Sequence, residues 1–160
     1  MSSPEAEHHD PFSSPRAESG EFPASQTHPS QVRRGRVLVV DDEPQIGTTL
    51  RLLLEPRHEV VPVTSGKAAL ERLTTDGAFD VVLCDLKMPE MSGIDLYEIV
   101  AVVAPAVLDR FVFMTGGVFS AKISAFLGRV PNPCIDKPFD IAALTALIDE
   151  RAAHRTDEVA

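Results

Sequence analysis

Five short apolar runs, each followed by an amphipathic stretch, constrain this chain more than any other feature. The first is Arg36-Val37-Leu38-Val39-Val40-Asp41, a β-branched run without alternation. Such a run suits a strand covered on both faces. Pro44 then fits the first turn of a helix, and Ile46, Leu50, Leu53 and Leu54 recur at helical spacing. The spacing places most of these leucines in the core. His58 to Val63 reads as a second strand. Ser65 can cap a helix carrying Ala68, Ala69 and Leu73, which Asp76-Gly77 stops. Phe79 to Asp85 is a third strand, apolar almost to its last residue. Ser92 to about Ala104 is a third helix, and Arg110 to Thr115 a fourth strand. Val118 to Arg129 reads as a helix ended by Pro131. Cys134 to Asp136 is a short fifth strand, and Asp140 caps a last helix bearing Ile141, Leu144, Leu147 and Ile148. Strict alternation predicts an α/β fold with parallel strands and helical crossovers on both faces.

The boundaries follow from texture. Residues 1–34 are rich in Ser, Pro and Glu and have almost no apolar periodicity, so they read as a disordered tail. His8 and His9 read as solvated there, and Phe12 and Phe22 as isolated aromatics of a linker. Residues 35–153 form the domain, and 154–160 a polar C-terminal tail. The sequence shows no output domain after the last helix. The net charge of −9 repels phosphate backbones and argues against direct nucleic-acid binding. No apolar run reaches the roughly 20 residues of a membrane span, and the N-terminus lacks a signal-peptide pattern. Cys84 and Cys134 lie in apolar segments and read as small buried residues in a reducing compartment. The expectation is a cytoplasmic protein.

The chemistry lies where the strands end. The first finishes in Asp41-Asp42-Glu43, the third in Asp85, the fourth in Thr115 and the fifth in Asp136-Lys137. In a doubly wound parallel sheet all carboxyl ends share one edge, and ligands bind there. If the first and third strands are neighbours, Asp41, Asp42 and Asp85 converge. Converging carboxylates repel each other, and a dication removes that penalty. Mg²⁺ favours oxygen ligands and often bridges to phosphate. Lys137 adds a mobile cation and Thr115 a hydroxyl, while Gly116 and Gly117 leave space. A carboxylate nucleophile, a metal and a cationic donor are what phosphoryl transfer requires. Any one of these residues alone is explained by turn formation. Four strand ends each carrying a fitting group are not.

The stretches VLVVDDEP, DVVLCDLKMPEMSG, FMTGG and DKPF, in this order and spacing, closely resemble the receiver domain of bacterial two-component response regulators. The resemblance runs from about Arg36 to Arg151. It implies a flavodoxin-like, five-stranded parallel sheet in the order 2-1-3-4-5. It implies that Asp85 is the phosphoacceptor, that Asp42 ligates Mg²⁺ directly, and that Asp41 acts through water. The backbone carbonyl of Lys87 is implied as a further ligand, beside Asp85 itself. Thr115 matches the switch hydroxyl and Lys137 the lysine that binds a phosphoryl oxygen. The Lys137–Pro138 bond is expected to be cis. Pro89 and Gly93 match the turn after the phosphoacceptor, with Gly93 expected to supply a conformation costly for a side chain. The implied partner is a histidine kinase or phosphotransfer domain, and the chain is not expected to be an enzyme in the ordinary sense. The segment from MTGG to NPCIDKPF also resembles receivers at the C-termini of hybrid histidine kinases.

Two positions depart from the family. An aromatic residue usually stands three residues before the lysine, coupled to the switch threonine; here it is Cys134. Gly117, two residues past Thr115, offers no group to orient water, which implies slow self-dephosphorylation. Phe119, Ile123, Phe126 and Leu127 are expected mostly to pack in the core. Two other readings remain. A haloacid-dehalogenase-type hydrolase would carry its nucleophile after the first strand, at Asp41, and a second Asp two residues later, where this chain has Glu43. A pseudo-receiver would normally lack one of the site residues.

Overall fold

The computed structural model describes residues 33–117 and 119–157. The elements follow in the order β1 (Arg36–Val40), α1 (Pro44–Leu54), β2 (Glu59–Val63), α2 (Gly66–Thr75), β3 (Val81–Asp85) and α3 (Gly93–Val103), then a 3₁₀ helix (Pro105–Arg110), β4 (Phe111–Thr115), α4 (Ala121–Arg129), β5 (Cys134–Asp136) and α5 (Ile141–Asp157). All pairings are parallel, and the sheet order is β2-β1-β3-β4-β5.

The period-2 alternation of strands sorts the core into two layers. Leu38, Val40, Val82, Cys84, Phe111 and Phe113 face one side, against Ala69 and Leu73 of α2, Leu96 and Val100 of α3, and Ile123 and Phe126 of α4. Val37, Val39, Val81, Leu83, Val112 and Met114 face the other, against Leu50 and Leu54 of α1 and Leu144 and Ile148 of α5. Each fully buried side chain of this kind contributes about 1.5–3 kcal/mol. The helix starts are fixed by side chains. Ser65 accepts from the Ala68 amide, Ser120 from Ile123 and Asp140 from Ala143. Ser92 and Asp95 form a reciprocal capping box. A cap of this type contributes about 1 kcal/mol.

Several expectations shift. Leu53 is exposed, because the inward stripe of α1 passes through Leu50 and Leu54. Cys84 is fully buried, but Cys134 is only partly so, since β5 is the short edge strand. Ile123 and Phe126 are buried, whereas Phe119 precedes α4 and is exposed. α5 continues to Asp157, past the boundary expected at 153. Arg33, assigned to the tail, joins the fold by donating to Asp80 Oδ1 at 3.0 Å and to the Ala152 carbonyl at 3.3 Å. His8, His9, Phe12, Phe22 and Val118 lie outside the described residues.

At the N-terminal edge of the sheet, two buried polar groups hold the strands to α5. The Gly35 amide donates to His58 Nδ1 at 3.0 Å, and His58 Nε2 lies 2.6 Å from Asp149 Oδ1. Asp80 accepts from the Arg36 amide at 2.7 Å and pairs with Arg33 and Arg155. Both clusters lie at the opposite end of the strands from Asp85.

Candidate functional site

Register brings the acidic residues together. Val40 of β1 pairs with Cys84 of β3, so Asp41 and Asp85 each stand one residue beyond the same pair. Asp42 follows on the turn into α1. One carboxylate oxygen from each of Asp41, Asp42 and Asp85 lies within 4.8 Å of the others. Asp41 and Asp85 are buried, and Asp42 is the most open of the three. The Asp41 carboxylate also accepts from the Glu43 amide at 2.9 Å, which fixes the turn.

Lys137 reaches in from the end of β5. Its Nζ donates to Asp41 Oδ2 at 2.6 Å and to Asp85 Oδ2 at 3.1 Å. Its position is set by the Lys137 amide, which donates to the Thr115 carbonyl at 2.8 Å. The Lys137–Pro138 peptide is cis, as expected. Burial raises the pKa of Asp85; the Lys87 amide, 3.2 Å from Oδ1, and the Lys137 ammonium oppose that shift without cancelling it. Burial disfavours the charged form of Lys137, but the hydrogen bonds to Asp41 and Asp85 outweigh it and raise its pKa.

Thr115 is buried at the end of β4, one residue past the Met114 that pairs with Asp85. Its hydroxyl accepts from the Gly117 amide at 3.4 Å. Gly117 sits at φ 92°, and a side chain on Gly116 or Gly117 would meet nothing within 4 Å. The space beside Thr115 is therefore open. The turn after Asp85 places its positive φ at Glu90 (φ 66°), not at Gly93. Gly93 is required for another reason: a Cβ there would overlap the Asp85 carbonyl oxygen.

At the aromatic-switch position, Cys134 packs at the margin of a cluster in which Tyr97 meets Phe111, Phe113 and Phe126 edge-on, at centroid separations of 5.5, 5.6 and 5.4 Å. Tyr97 is pinned through its hydroxyl to Asn132 Oδ1 at 3.1 Å.

The donor set suits a hard dication: three carboxylates and no sulfur or imidazole among the grouped residues. The sequence marked these carboxylates and Lys137. It did not mark Lys137 as the direct counter-ion of Asp41. The signal was available: three clustered acids need a cation, and Lys137 ends a strand at the same edge.

The three carboxylates and the lysine thus lie at the carboxyl ends of the strands, where a doubly wound parallel sheet binds its ligands. Residues 37–149 match the response regulator receiver domain family, and the chain belongs to it. It is 48% identical over 61 residues (38% of this chain) to the transcriptional regulatory protein KdpE of Mycobacterium tuberculosis, covering 26% of that protein. It is 32% identical over 119 residues to ZraR of Escherichia coli, covering 74% of this chain and 26% of that protein. It is 32% identical over 124 residues to the aerobic respiration control sensor protein ArcB of E. coli, covering 76% of this chain and 16% of that protein. The chain thus spans about a quarter or less of these relatives. Among solved structures, a CheY-like receiver domain protein from Methanospirillum hungatei superposes with a TM-score of 0.67 at 27% identity, over 78% of this chain and 98% of that one.

Proposed function

We propose that this receiver domain accepts a phosphoryl group on Asp85 from a phosphohistidine of a kinase or phosphotransfer domain. The observation that carries this reading is Lys137 Nζ bridging Asp41 and Asp85 inside a three-carboxylate pocket. In the transfer, a carboxylate oxygen of Asp85 forms a bond to phosphorus as the histidine N–P bond breaks, and the imidazole leaves with the electron pair. Lys137 exchanges its contact with Asp85 for one to a phosphoryl oxygen, and Thr115 turns its hydroxyl from the Gly117 amide toward the same group. Asp42, Asp85, the Lys87 carbonyl and, through water, Asp41 are the residues that would hold Mg²⁺. When bound, the ion supplies charge compensation to the carboxylates and the transferred group.

The donor is expected to approach beside α1, whose first turn follows Asp42 at the pocket. The site is read as working in the cytoplasm; no described helix is long and apolar enough to cross a membrane. The test is intact mass after incubation with acetyl phosphate, with and without Mg²⁺. One phosphoryl adduct that needs Mg²⁺ and is absent from Asp85→Asn supports the reading. An adduct retained in Asp85→Asn sinks the assignment of the nucleophile. Absence of any adduct, including from a cognate kinase, makes the chain a pseudo-receiver.

A further inference from the structure

Residues 99–108 carry no charged or hydrogen-bonding side chain. They form the C-terminal half of α3 and most of the 3₁₀ helix behind it. A helix that is apolar all round is normally covered all round. α3 buries Leu96 and Val100 against the sheet, yet Val102 is 81% and Val103 54% exposed. Single exposed apolar residues are ordinary, but contiguous ones bordered by polar groups mark interaction surfaces. Here Val102, Val103 and Ile99 on one side of the helix, with Met91 just before it, line an open groove of about 600 Å³ edged by three carboxylates, Glu90, Asp95 and Glu98, of which Glu98 pairs with Arg129 at the surface.

We infer that this groove docks an amphipathic helix whose apolar stripe is flanked by lysine or arginine. The charge pattern selects that occupant. The apolar floor accepts residues at i, i+3, i+4 and i+7 of a partner helix. The carboxylate edge and the net charge of −9 both favour a basic partner. A second copy of this chain would bring the same acidic edge and the same net charge, which opposes self-association. The surface is distinct from the phosphoryl pocket and from α1, and its occupancy needs no phosphorylation.

The test uses the whole, unphosphorylated, ¹⁵N-labelled chain and a fluorescent Leu/Lys amphipathic helical peptide. A scrambled peptide of the same composition and a Leu/Glu counterpart serve as controls. Saturable binding that shifts the amides of residues 90–103 is expected, with little binding of either control. Val102→Ser with Val103→Ser, and separately Glu98→Lys, should each weaken binding at least tenfold. Leu52→Ser on α1 should leave it unchanged. Thermal melts check that the variants fold; Glu98 is exposed and its one ion pair, to Arg129, lies at the surface, so its variant stands as an independent arm. Equal binding of the scrambled peptide, unweakened binding by the folded variants, or shifts centred on α1 would overturn the proposal. So would light scattering that shows a dimer dissolved by Val102→Ser, because the cover is then a second copy.

Discussion

Gly93 lies against the backbone of Asp85 so closely that a single Cβ would overlap the Asp85 carbonyl oxygen and come within 3.0 Å of the Leu86 Cα. The obstructing atoms are backbone, so no rotamer change relieves the clash. The first residue of α3 therefore sets the distance between that helix and the phosphoacceptor strand. Gly93→Ala must push the two apart. Overpacking of this kind costs about 1–3 kcal/mol, and the Gly93 amide bond to the Leu86 carbonyl would lengthen with it. Urea unfolding should show a loss in that range, together with reduced adduct formation from acetyl phosphate. Wild-type stability in Gly93→Ala would show that the turn relaxes freely.

The raised Asp85 pKa makes a second prediction, whose sign follows from linkage. Burial makes the folded chain bind a proton at Asp85 more tightly than the unfolded chain does. The stabilisation from that proton is present below the ordinary carboxylate pKa and is lost as pH rises through the folded value. At pH 7 the ionised group therefore costs stability, and Asp85→Asn removes the cost. In chelator, Asp85→Asn should therefore melt above the wild type. The gap should close as pH falls below about 4. Mg²⁺ should reverse the order: at a hundred times Kd it adds about 2.7 kcal/mol to the wild type and less to the variant. A melting point for Asp85→Asn at or below the wild type in chelator would count against the burial argument.

The acidic pocket was legible because strand ends are legible. Asp41, Asp85, Thr115 and Lys137 each terminate an apolar run, and parallel pairing carries them to one edge. What the sequence hid has physical reasons. Leu53 shares the helical spacing of Leu50 and Leu54, but only a narrower stripe of α1 reaches the sheet. Gly93 signalled a special backbone, yet its need is space, and Glu90 carries the positive φ instead. The ties among Gly35, His58 and Asp149 join residues far apart in sequence, and nothing local announces them. α5 ran past its expected end because Ala152 and Arg155 still meet the sheet edge, although the segment is polar.

The His58 tie also yields a prediction. The Gly35 amide can only donate, so Nδ1 accepts and the ring proton resides on Nε2, facing Asp149. His58 is fully buried, and removing its acceptor strands that proton. Asp149→Ala should cost about 1–3 kcal/mol. Asp149→Asn keeps an acceptor oxygen and should cost less than half as much. Because the tie lies at the sheet edge opposite Asp85, adduct formation should be unchanged in either folded variant. Equal losses in Ala and Asn would assign the effect to the Arg57–Asp149 ion pair instead.

The last prediction concerns how long the phosphoryl group survives. Gly117 stands two residues past Thr115, at φ 92°, with open space where a side chain would project. Hydrolysis of an acyl phosphate needs a water held in line with the phosphorus, and glycine presents no side chain to hold it. Loss of the adduct from the purified chain should therefore take minutes or longer. Gly117→Asn is the informative variant, because asparagine tolerates positive φ better than most residues and adds both a donor and an acceptor. It should shorten the half-life several-fold without changing the extent of phosphorylation. Lifetimes are read from the decay of intact mass after acetyl phosphate is removed. A wild-type half-life of seconds would mean that water is positioned by another group, and an unchanged rate in Gly117→Asn would mean that this position does not govern the lifetime.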